Sequence, residues 1–429
     1  YSLHCSQRQK GRQQCGGGNY ECVVVRKGRP VTSAARERGG GSMAGQLHGG
    51  NRYGQKVILD FSVNTNPLGL PDYIGRTLEQ AVRGDRGLWE WYPDPACVQL
   101  RKALGAYHQV PTEQIVCGNG ASELIFAVAR MFAADGPVTA VLPGPSFSEY
   151  ERALFAIGAK IRYDRLRDAE DFLLTDRILE QLKADVDLLF LCNPNNPTGS
   201  LIEPGLLEKI LAVCAQKGIA VVLDECFREL AERDCLSKEE SAARGFAGGV
   251  ASGDYGGLRA DAYPHLILLK AFTKLYAMPG LRLGYCICGN RETARRLQAQ
   301  LPCWNVSNMA QLAGLTALDP QKSLDYISQS RKLIWAERRF LTEGLRHLGL
   351  RVLPGHANFL CFYCEDGRVE TGTFSPGVQP LYEILLAQGI LIRDCAGFEG
   401  LGPGWYRIAV KTRQENRRLL DELKKRIRG

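Results

Sequence analysis

The sequence lacks any uninterrupted apolar run of 18 or more residues, which argues against a membrane-spanning helix. It also lacks an internal repeat of 20 to 50 residues and the apolar core of a signal peptide. Its 15 cysteines therefore indicate reduced thiols in a cytoplasmic protein rather than a disulfide framework. The length of 429 residues, with 45% hydrophobic and 23% charged residues, is typical of a globular chain of two or three domains.

The net charge of +8 is concentrated at one end of the chain. Residues 1–42 contain eight lysines or arginines against two acids, so residues 43–429 carry a net charge of only +2. Residues 43–429 therefore lack the excess of positive charge that is typical of nucleic-acid-binding proteins. The first 42 residues are rich in Gly, Arg and Gln, which predicts a disordered basic tail. We interpret the tail as an inert extension before a natural start at Met43; a nucleic-acid-binding arm is the alternative.

The pattern of strands and helices predicts an α/β protein. Residues 43–94 contain many turn residues and predict an N-terminal arm that joins a smaller domain. Residues 95–320 alternate helical patterns with short apolar strands, which predicts a large domain with a mainly parallel sheet between helices. The six predicted strands are 138–143, 160–165, 187–192, 219–224, 266–271 and 283–288. Residues 321–429 begin with a long helical pattern and predict a smaller α+β domain. The Gly-rich stretch 241–260 predicts a long surface loop.

Two cysteine pairs raise the possibility of a metal site. Cys286 and Cys288 lie in "GYCICG", and Cys361 and Cys364 lie in "FLCFYC". A metal needs several preorganised ligands, whereas both segments are apolar and strand-like. We expect these four cysteines to pack in the core, and we predict no metal.

Ligands of open parallel sheets bind outside the carboxyl ends of the strands, so the residues that follow each strand are the candidates for a site. The strand "IAVVLD" ends at Asp224, a buried acid that needs a cationic partner, of which a protonated pyridine nitrogen is one. The strand "DLLFLC" is followed by "NPNNPTG", in which Asn196 has an amide that can donate to a ligand. A tight turn is the alternative interpretation of that segment.

A turn and a later basic segment provide the remaining candidate site residues. "CGNGASELIFAVA" contains a Gly-containing turn that opens a helix, whose free N–H groups and the Ser122 hydroxyl suit a phosphate; an ordinary connection would look the same. "LILLKAFTKLYAMPGLRLGY" delivers Lys274 after a buried strand, followed by Arg282. A lysine there is commonly a salt-bridge partner, but near a phosphate cradle it can bind an aldehyde cofactor covalently, with Arg282 on the phosphate.

The ordered motifs "NPNNPTG", "DECF", "AFTKLYAMPGLRLGY" and "YRIAVKTRQEN" resemble the pyridoxal-phosphate enzymes of aminotransferase fold type I, in the branch that contains histidinol-phosphate aminotransferase. Within that branch, "HGGN", "DFSVNTNPLG" and "GPSFSEYERAL" are similar to the threonine-phosphate decarboxylases of cobalamin biosynthesis. The resemblance covers nearly all of residues 47–429. It implies decarboxylation of a small phosphorylated amino acid, O-phospho-L-threonine, by a cytoplasmic homodimer that binds neither nucleic acid nor membrane.

The resemblance also implies a role for each matching residue. Lys274 would bind pyridoxal 5'-phosphate covalently, Asp224 would pair with its ring nitrogen, and Asn196 would donate to its ring oxygen and contact the substrate. The cofactor would further be held by Gly120, Ala121, Ser122, Phe147, Thr273, Arg282 and, from the neighbouring subunit, Tyr92. The substrate would be bound by His48, Gly49, Asn64, Arg393 and Arg407, with Arg407 on the carboxylate, Arg393 on the phosphate and His48 as a second donor to the phosphate.

Two positions depart from the wider pattern of the fold. Many aminotransferases of this fold have tyrosine at the position of Phe227. The decarboxylases, like this chain, have phenylalanine there. Ala271 stands where a phosphate-binding serine is usual, so Thr273 is expected to contribute more to that contact. An aminotransferase for histidinol phosphate or another phosphorylated amino acid is the alternative function. A regulator that joins this fold to a DNA-binding domain is a third possibility, which the absence of helix-turn-helix periodicity disfavours.

Overall fold

The structure is a computed structural model that describes residues 49–50, 53–54, 56–84, 86–232, 263–365 and 380–427. The predicted basic tail, the Gly-rich stretch 241–260 and the candidate residue His48 lie outside these ranges. The described residues belong to one compact unit, His48–Gly429. The division into an arm, a large domain and a small domain stays a prediction.

The strands are numbered in chain order. They are β1 (Leu59–Asp60), β2 (Ile115–Gly118), β3 (Thr139–Gly144), β4 (Lys160–Arg165), β5 (Leu188–Cys192), β6 (Ala220–Asp224), β7 (Leu266–Ala271), β8 (Gly284–Cys288), β9 (Arg351–Val352), β10 (Phe359–Tyr363), β11 (Ile390–Leu391), β12 (Arg393–Asp394) and β13 (Trp405–Ala409). The α-helices are Asp72–Gly84, Gly87–Glu90, Val98–His108, Gly120–Ala133, Ser148–Ala156, Ile178–Gln181, Pro204–Lys217, Phe272–Leu275, Arg291–Gln298, Asn308–Ala317, Pro320–His347, Leu381–Ala387 and Arg413–Arg426.

The main sheet has seven strands in the order β2-β8-β7-β6-β5-β3-β4. Strand β8 runs antiparallel to both of its neighbours, and the other pairings are parallel. The six strands that the sequence predicts between residues 138 and 288 are all present, which confirms a mainly parallel sheet. The prediction missed β2, because its four residues are too few to produce a clear periodic pattern.

Both faces of this sheet are covered, which explains why its central strands are continuous apolar runs. Val221 and Leu223 of β6 pack in one hydrophobic cluster with the long helix Pro320–His347. Val222, between them, packs in a second cluster on the other face, with the helix Gly120–Ala133. Successive side chains of a strand point to opposite faces, so one buried strand serves both clusters.

The helix Pro204–Lys217 connects β5 to β6 and so fixes where Asp224 emerges. Its first turn is capped by the Glu203 side chain, which accepts from the N–H groups of Gly205 and Leu206, and Pro204 occupies the first helical position. Gly218 ends the helix in the left-handed conformation, with φ +72°. The sequence thus encodes both ends of this connection locally.

A smaller sheet lies in the C-terminal part of the chain, as the sequence predicts. Its order is β12-β13-β10-β9, and its pairings are antiparallel. Strand β1 pairs in parallel with β11, which attaches the segment before the first long helix to the C-terminal part. Among the helices that the structure describes, none combines the length and the apolar character needed to cross a bilayer.

The four cysteines that raised the possibility of a metal are buried. Cys286 and Cys288 pack in the cluster that also contains Val222, while Cys361 and Cys364 pack in clusters around the smaller sheet. The prediction that they pack in the core is confirmed.

Candidate functional site

A cavity of about 750 Å³ lies at the carboxyl ends of β5, β6 and β7, whose last residues line it. This volume is in the range of small-molecule sites. Most of the predicted site residues line this cavity, namely Gly49, Asn64, Ala121, Ser122, Phe147, Asn196, Asp224, Thr273, Lys274, Arg282, Arg393 and Arg407. Residues from distant parts of the sequence therefore meet at the edge of the sheet where the strand pattern predicts a site.

Lys274 lies just beyond the end of β7, in the one-turn helix Phe272–Leu275. Its Nζ lies 5.9 Å from the centre of the Phe227 ring. Within the described ranges this Nζ forms no ion pair or hydrogen bond. Burial, followed by the charges of Arg407 and Arg282, lowers the pKa of Lys274 to about 8. Near neutral pH this amine is therefore neutral and nucleophilic in a larger fraction of molecules than an ordinary lysine would be.

Asp224, the last residue of β6, is a buried carboxylate at the floor of the cavity. Its Oδ2 accepts from the Tyr150 hydroxyl at 2.7 Å, and its Oδ1 accepts from the Cys226 N–H at 2.9 Å. Burial raises the pKa of the Asp224 carboxyl, and these two hydrogen bonds oppose that rise. A cation bound next to Asp224 would stabilise the ionised form further.

Gly120 and Arg282 are packed together beside the N-terminus of the helix Gly120–Ala133. Gly120 has φ +79°, and a Cβ built on it would lie 2.7 Å from Arg282 Nη2. Only glycine combines that backbone conformation with so close a guanidinium. Gly120 does not line the cavity, but it allows Arg282 to approach Ala121 and Ser122, which do. The helix begins at Gly120, within the segment where the sequence predicts a turn that opens a helix.

Arg407 is buried at the centre of β13 and is held by two acceptors. Its Nη1 donates to Asn196 Oδ1, and its Nη2 donates to the Ser62 carbonyl oxygen at 2.9 Å. Its Nε is buried and has no hydrogen-bond partner in the described part of the chain. The guanidinium therefore keeps a donor for a ligand. Because Asn196 Oδ1 already accepts from Arg407, the Nδ2 of Asn196 is the group that can donate to a ligand.

Arg393 and Arg407 face each other across two paired strands. They are register partners in the antiparallel pair β12-β13, so their side chains lie on the same face of the smaller sheet. Burial lowers the pKa of Arg393, and burial together with the charge of Arg393 lowers the pKa of Arg407 to about 10. Two adjacent partly dehydrated cations repel each other, and bound anions would relieve this repulsion.

Ser62 links the glycine segment at residues 49 and 50 to the rest of the site. Its Oγ accepts from the Gly50 N–H at 2.8 Å and donates to Asp60 Oδ1 at 2.6 Å. A Cβ on Gly49 would lie 2.2 Å from the Ser62 carbonyl oxygen, the atom that also accepts from Arg407. The glycine segment therefore lies directly against the residue that holds Arg407.

Tyr92 lies outside the cavity. Its side chain is 77% exposed and stacks on Trp304, with the ring centres 4.4 Å apart. Its assignment to the site of a neighbouring subunit stays a prediction, and so does the role of His48.

Several residues that line the cavity were not predicted from the sequence, including Asp60, Ser62 and Lys411. Asp60 Oδ1 accepts from the Ser62 N–H two residues later, a local turn for which Asp-x-Ser is a recognisable signal. Lys411 follows Arg407 by four residues along an extended segment, and the twofold period of a strand places both on one face. Both signals lie in motifs quoted above, the first in "DFSVNTNPLG" and the second in "YRIAVKTRQEN".

The residues that line the cavity fit pyridoxal phosphate. Ser122, Thr273 and Arg282 supply two hydroxyls and a cation for its phosphate, beside a helix N-terminus. Asp224 supplies a buried carboxylate for the ring nitrogen, and Lys274 supplies an unpaired amine for the aldehyde. Ala271 and Phe227 also line the cavity, so the two departures noted in the sequence lie at the site itself.

Comparisons with known proteins agree with this geometry. The chain is 37% identical to the threonine-phosphate decarboxylase of Salmonella typhimurium, over 87% of this chain and 92% of the relative. It is 31% identical to a histidinol-phosphate aminotransferase of Methanothermobacter thermautotrophicus, over 86% of this chain and 90% of the relative. The crystal structure of the histidinol-phosphate aminotransferase from Clostridium acetobutylicum is 29% identical and superposes with a TM-score of 0.70, covering 86% of this chain and 98% of that one.

The family model described as "Aminotransferase class I and II" matches residues 56–423. This range includes every candidate site residue except His48 and Gly49. The predicted fold, type I of the pyridoxal-phosphate enzymes, is thereby confirmed. This chain belongs to the aminotransferase class I and II family.

Proposed function

We propose that this protein is a pyridoxal-phosphate-dependent carboxy-lyase, a threonine-phosphate decarboxylase. It would convert O-phospho-L-threonine to (R)-1-aminopropan-2-yl phosphate and carbon dioxide for cobalamin biosynthesis. The identity of 37% to the Salmonella typhimurium enzyme, over most of both chains, supports this substrate. The reduced thiols that its composition favours suit the cytoplasm, which we propose as its location.

The observation that carries the proposal is the pair of arginines on β12 and β13 in the cavity that contains Lys274. The proposed substrate has two anionic groups, a carboxylate and a phosphate, on adjacent carbon atoms. Arg407 and Arg393 are register partners, so they offer two adjacent cations on one face. Arg282 lies beside the helix N-terminus and is assigned to the cofactor phosphate.

The two arginines would determine which bond at the substrate Cα breaks. When bound, pyridoxal phosphate withdraws electrons from the Cα bond that stands perpendicular to its ring. Arg407, with its spare Nε donor, would hold the carboxylate in that perpendicular position, while Arg393 anchors the phosphate. Release of carbon dioxide follows from that orientation.

Lys274 would then provide the proton that replaces the lost carboxylate at Cα. Its pKa of about 8 suits an amine that both binds an aldehyde and transfers protons near neutral pH. Asp224 would keep its charge opposite the ring nitrogen, held in place by Tyr150 and the Cys226 N–H. Asn196, oriented by Arg407, would donate to the ring oxygen.

A direct test is to incubate the enzyme loaded with pyridoxal phosphate with O-phospho-L-threonine and no keto acid. We expect continuous release of carbon dioxide, in a 1:1 ratio with the amino phosphate product. L-Threonine at the same concentration is the control and should react far more slowly, because it lacks the group that Arg393 anchors. In a second incubation with 2-oxoglutarate added, transfer of the amino group to it without release of carbon dioxide would instead establish the aminotransferase alternative.

We also propose that the enzyme is a homodimer with shared sites. Trp89, Trp91, Tyr92 and Trp304 are between 48% and 77% exposed, a group of large aromatic side chains that is unusual on a free surface. Tyr92 is predicted to reach the cofactor phosphate of the neighbouring copy. A second copy that covers this surface would bury it.

Sedimentation of the loaded enzyme tests the homodimer. We expect a mass close to twice 47.4 kDa at micromolar concentration. Changing Trp91 to Glu should place a charge in the interface and shift the mass towards the monomer, whereas Trp335→Phe, on the long helix Pro320–His347, should not. A fully active wild-type monomer would contradict the proposal.

A further inference from the structure

Lys411 lies in the wall of the same cavity, just beyond the end of β13. It follows Arg407 by four residues, and the main-chain hydrogen bonds of Ala409 and Val410 to Phe61 and Asn358 keep the intervening segment extended. The twofold period of an extended chain puts Lys411 on the same side as Arg407. The cavity therefore has another cation, Lys411, on the same side as the arginines that are predicted to bind the substrate.

The charges of the proposed substrate require such a cation. At pH 7 a phosphate monoester carries about 1.5 to 2 negative charges, in addition to the carboxylate of the amino acid. Arg407 matches the carboxylate and Arg393 provides one positive charge for the phosphate, which leaves the phosphate only partly balanced. Arg152 also lines the cavity, but it is paired with Glu149 at 2.6 Å.

The present contacts of Lys411 are weak enough to be exchanged. Its Nζ lies 3.4 Å from Glu415 Oε1 and 5.8 Å from the centre of the Phe61 ring. Glu415 Oε2 is already used in the capping box, where it accepts from the Thr412 N–H at 3.1 Å, and it also accepts from the Thr412 hydroxyl at 2.6 Å. A partly exposed lysine–glutamate pair stabilises the fold only weakly, so a bound phosphate competes easily for the ammonium.

We propose that Lys411 is a specificity-determining residue that binds the phosphate group of the substrate together with Arg393. This inference rests on the proposed function, because it assumes a phosphorylated substrate. Glu415 keeps the lysine near the cavity before the substrate binds, and the flexible four-carbon chain carries the ammonium to the phosphate. The helix Arg413–Arg426 keeps its cap throughout, since the cap uses the other oxygen of Glu415.

The test measures binding of two ligands to the loaded enzyme by the change in cofactor absorbance. Lys411→Met should weaken binding of O-phospho-L-threonine by roughly 10-fold to 100-fold, the loss of one charge-assisted hydrogen bond. It should change binding of L-threonine, which lacks the phosphate, by less than about twofold. Lys411→Arg, which keeps the charge, should recover most of the affinity for the phosphorylated ligand.

A matched control is Lys425→Met, on the helix that follows. Lys425 is also paired with a glutamate, Glu422, at 2.9 Å, but it is exposed and lies outside the cavity. Lys425→Met removes the same charge and should change the affinity for neither O-phospho-L-threonine nor L-threonine. Equal losses for both ligands in Lys411→Met, or no loss for either, would overturn the assignment. A loss specific to the phosphorylated ligand, in an enzyme that releases no carbon dioxide, would support Lys411 while rejecting the proposed decarboxylation.

Discussion

Changing Lys274 to Ala is expected to lower the rate of carbon dioxide release by roughly 100-fold to 10,000-fold, the range that a positioned proton-transfer group contributes. The variant should also lose the covalent attachment of the cofactor. The measurement is peptide mapping after borohydride reduction, which fixes the cofactor to the amine that holds it. Wild-type enzyme should carry the added mass on the peptide that contains Lys274, and the variant should carry none.

The internal control for this experiment is Lys270, which lies four residues earlier on β7. Lys270 is buried, but it pairs with Glu225 at 2.9 Å and with Glu229 at 2.7 Å. Burial alone would lower the pKa of Lys270, yet the two carboxylates outweigh burial and raise it above the usual value. An added mass on the Lys270 peptide would mean that the wrong lysine has been assigned.

The contrast between these two lysines marks the limit of what the sequence could predict. Lys270 lies near the end of the apolar strand β7, and Lys274 follows that strand directly. The sequence pattern alone cannot show which of the two lysines lacks a carboxylate partner. Lys270 meets two carboxylates from the loop after β6, whereas Lys274 meets Arg407 and Arg282 from other parts of the chain. Burial and such long-range interactions together set each pKa, and both exist only in the folded protein.

The strand ends of the main sheet were predictable for a simple geometric reason. The carboxyl ends of parallel strands meet at one edge, so residues that follow separate strands must lie near each other. Asn196, Asp224 and Lys274 were found in this way and line one cavity. Neither β2 nor the helix Asp72–Gly84 was predicted, the first because it is short and the second because turn residues on both sides obscured its pattern.

The substrate side of the cavity was harder to predict, because it is built from the smaller sheet and the segment around β1. The pairing of Arg393 with Arg407 depends on the register of β12 and β13, which local sequence does not determine. The role of Ser62 depends on its contacts with Gly50 and Arg407, 12 and 345 residues away. The resemblance to a known family supplied the arginines, but it did not supply Ser62 or Lys411.

Asp224→Asn isolates the charge at the floor of the cavity. Asparagine has nearly the same shape and can still accept from the Cys226 N–H, which now donates to Asp224 Oδ1 at 2.9 Å. It cannot provide a negative charge for a protonated ring nitrogen. Removing one partner of a buried ion pair costs about 3 to 5 kcal/mol, because the other charge is left without compensation. The catalytic effect should therefore be large while the fold is preserved.

We expect Asp224→Asn to lower kcat for carbon dioxide release from O-phospho-L-threonine by about 100-fold to 5,000-fold, with a smaller change in KM. The matched control is Tyr150→Phe, which removes the hydroxyl that donates to Asp224 Oδ2 but keeps the carboxylate. That variant should lower kcat by roughly 10-fold to 100-fold, the value of one hydrogen bond to a charged group. Equal losses in the two variants would show that position, not charge, is what Asp224 contributes. Thermal unfolding of both proteins is the check on the fold, because a large drop in Tm for Asp224→Asn alone would assign its loss of activity to instability.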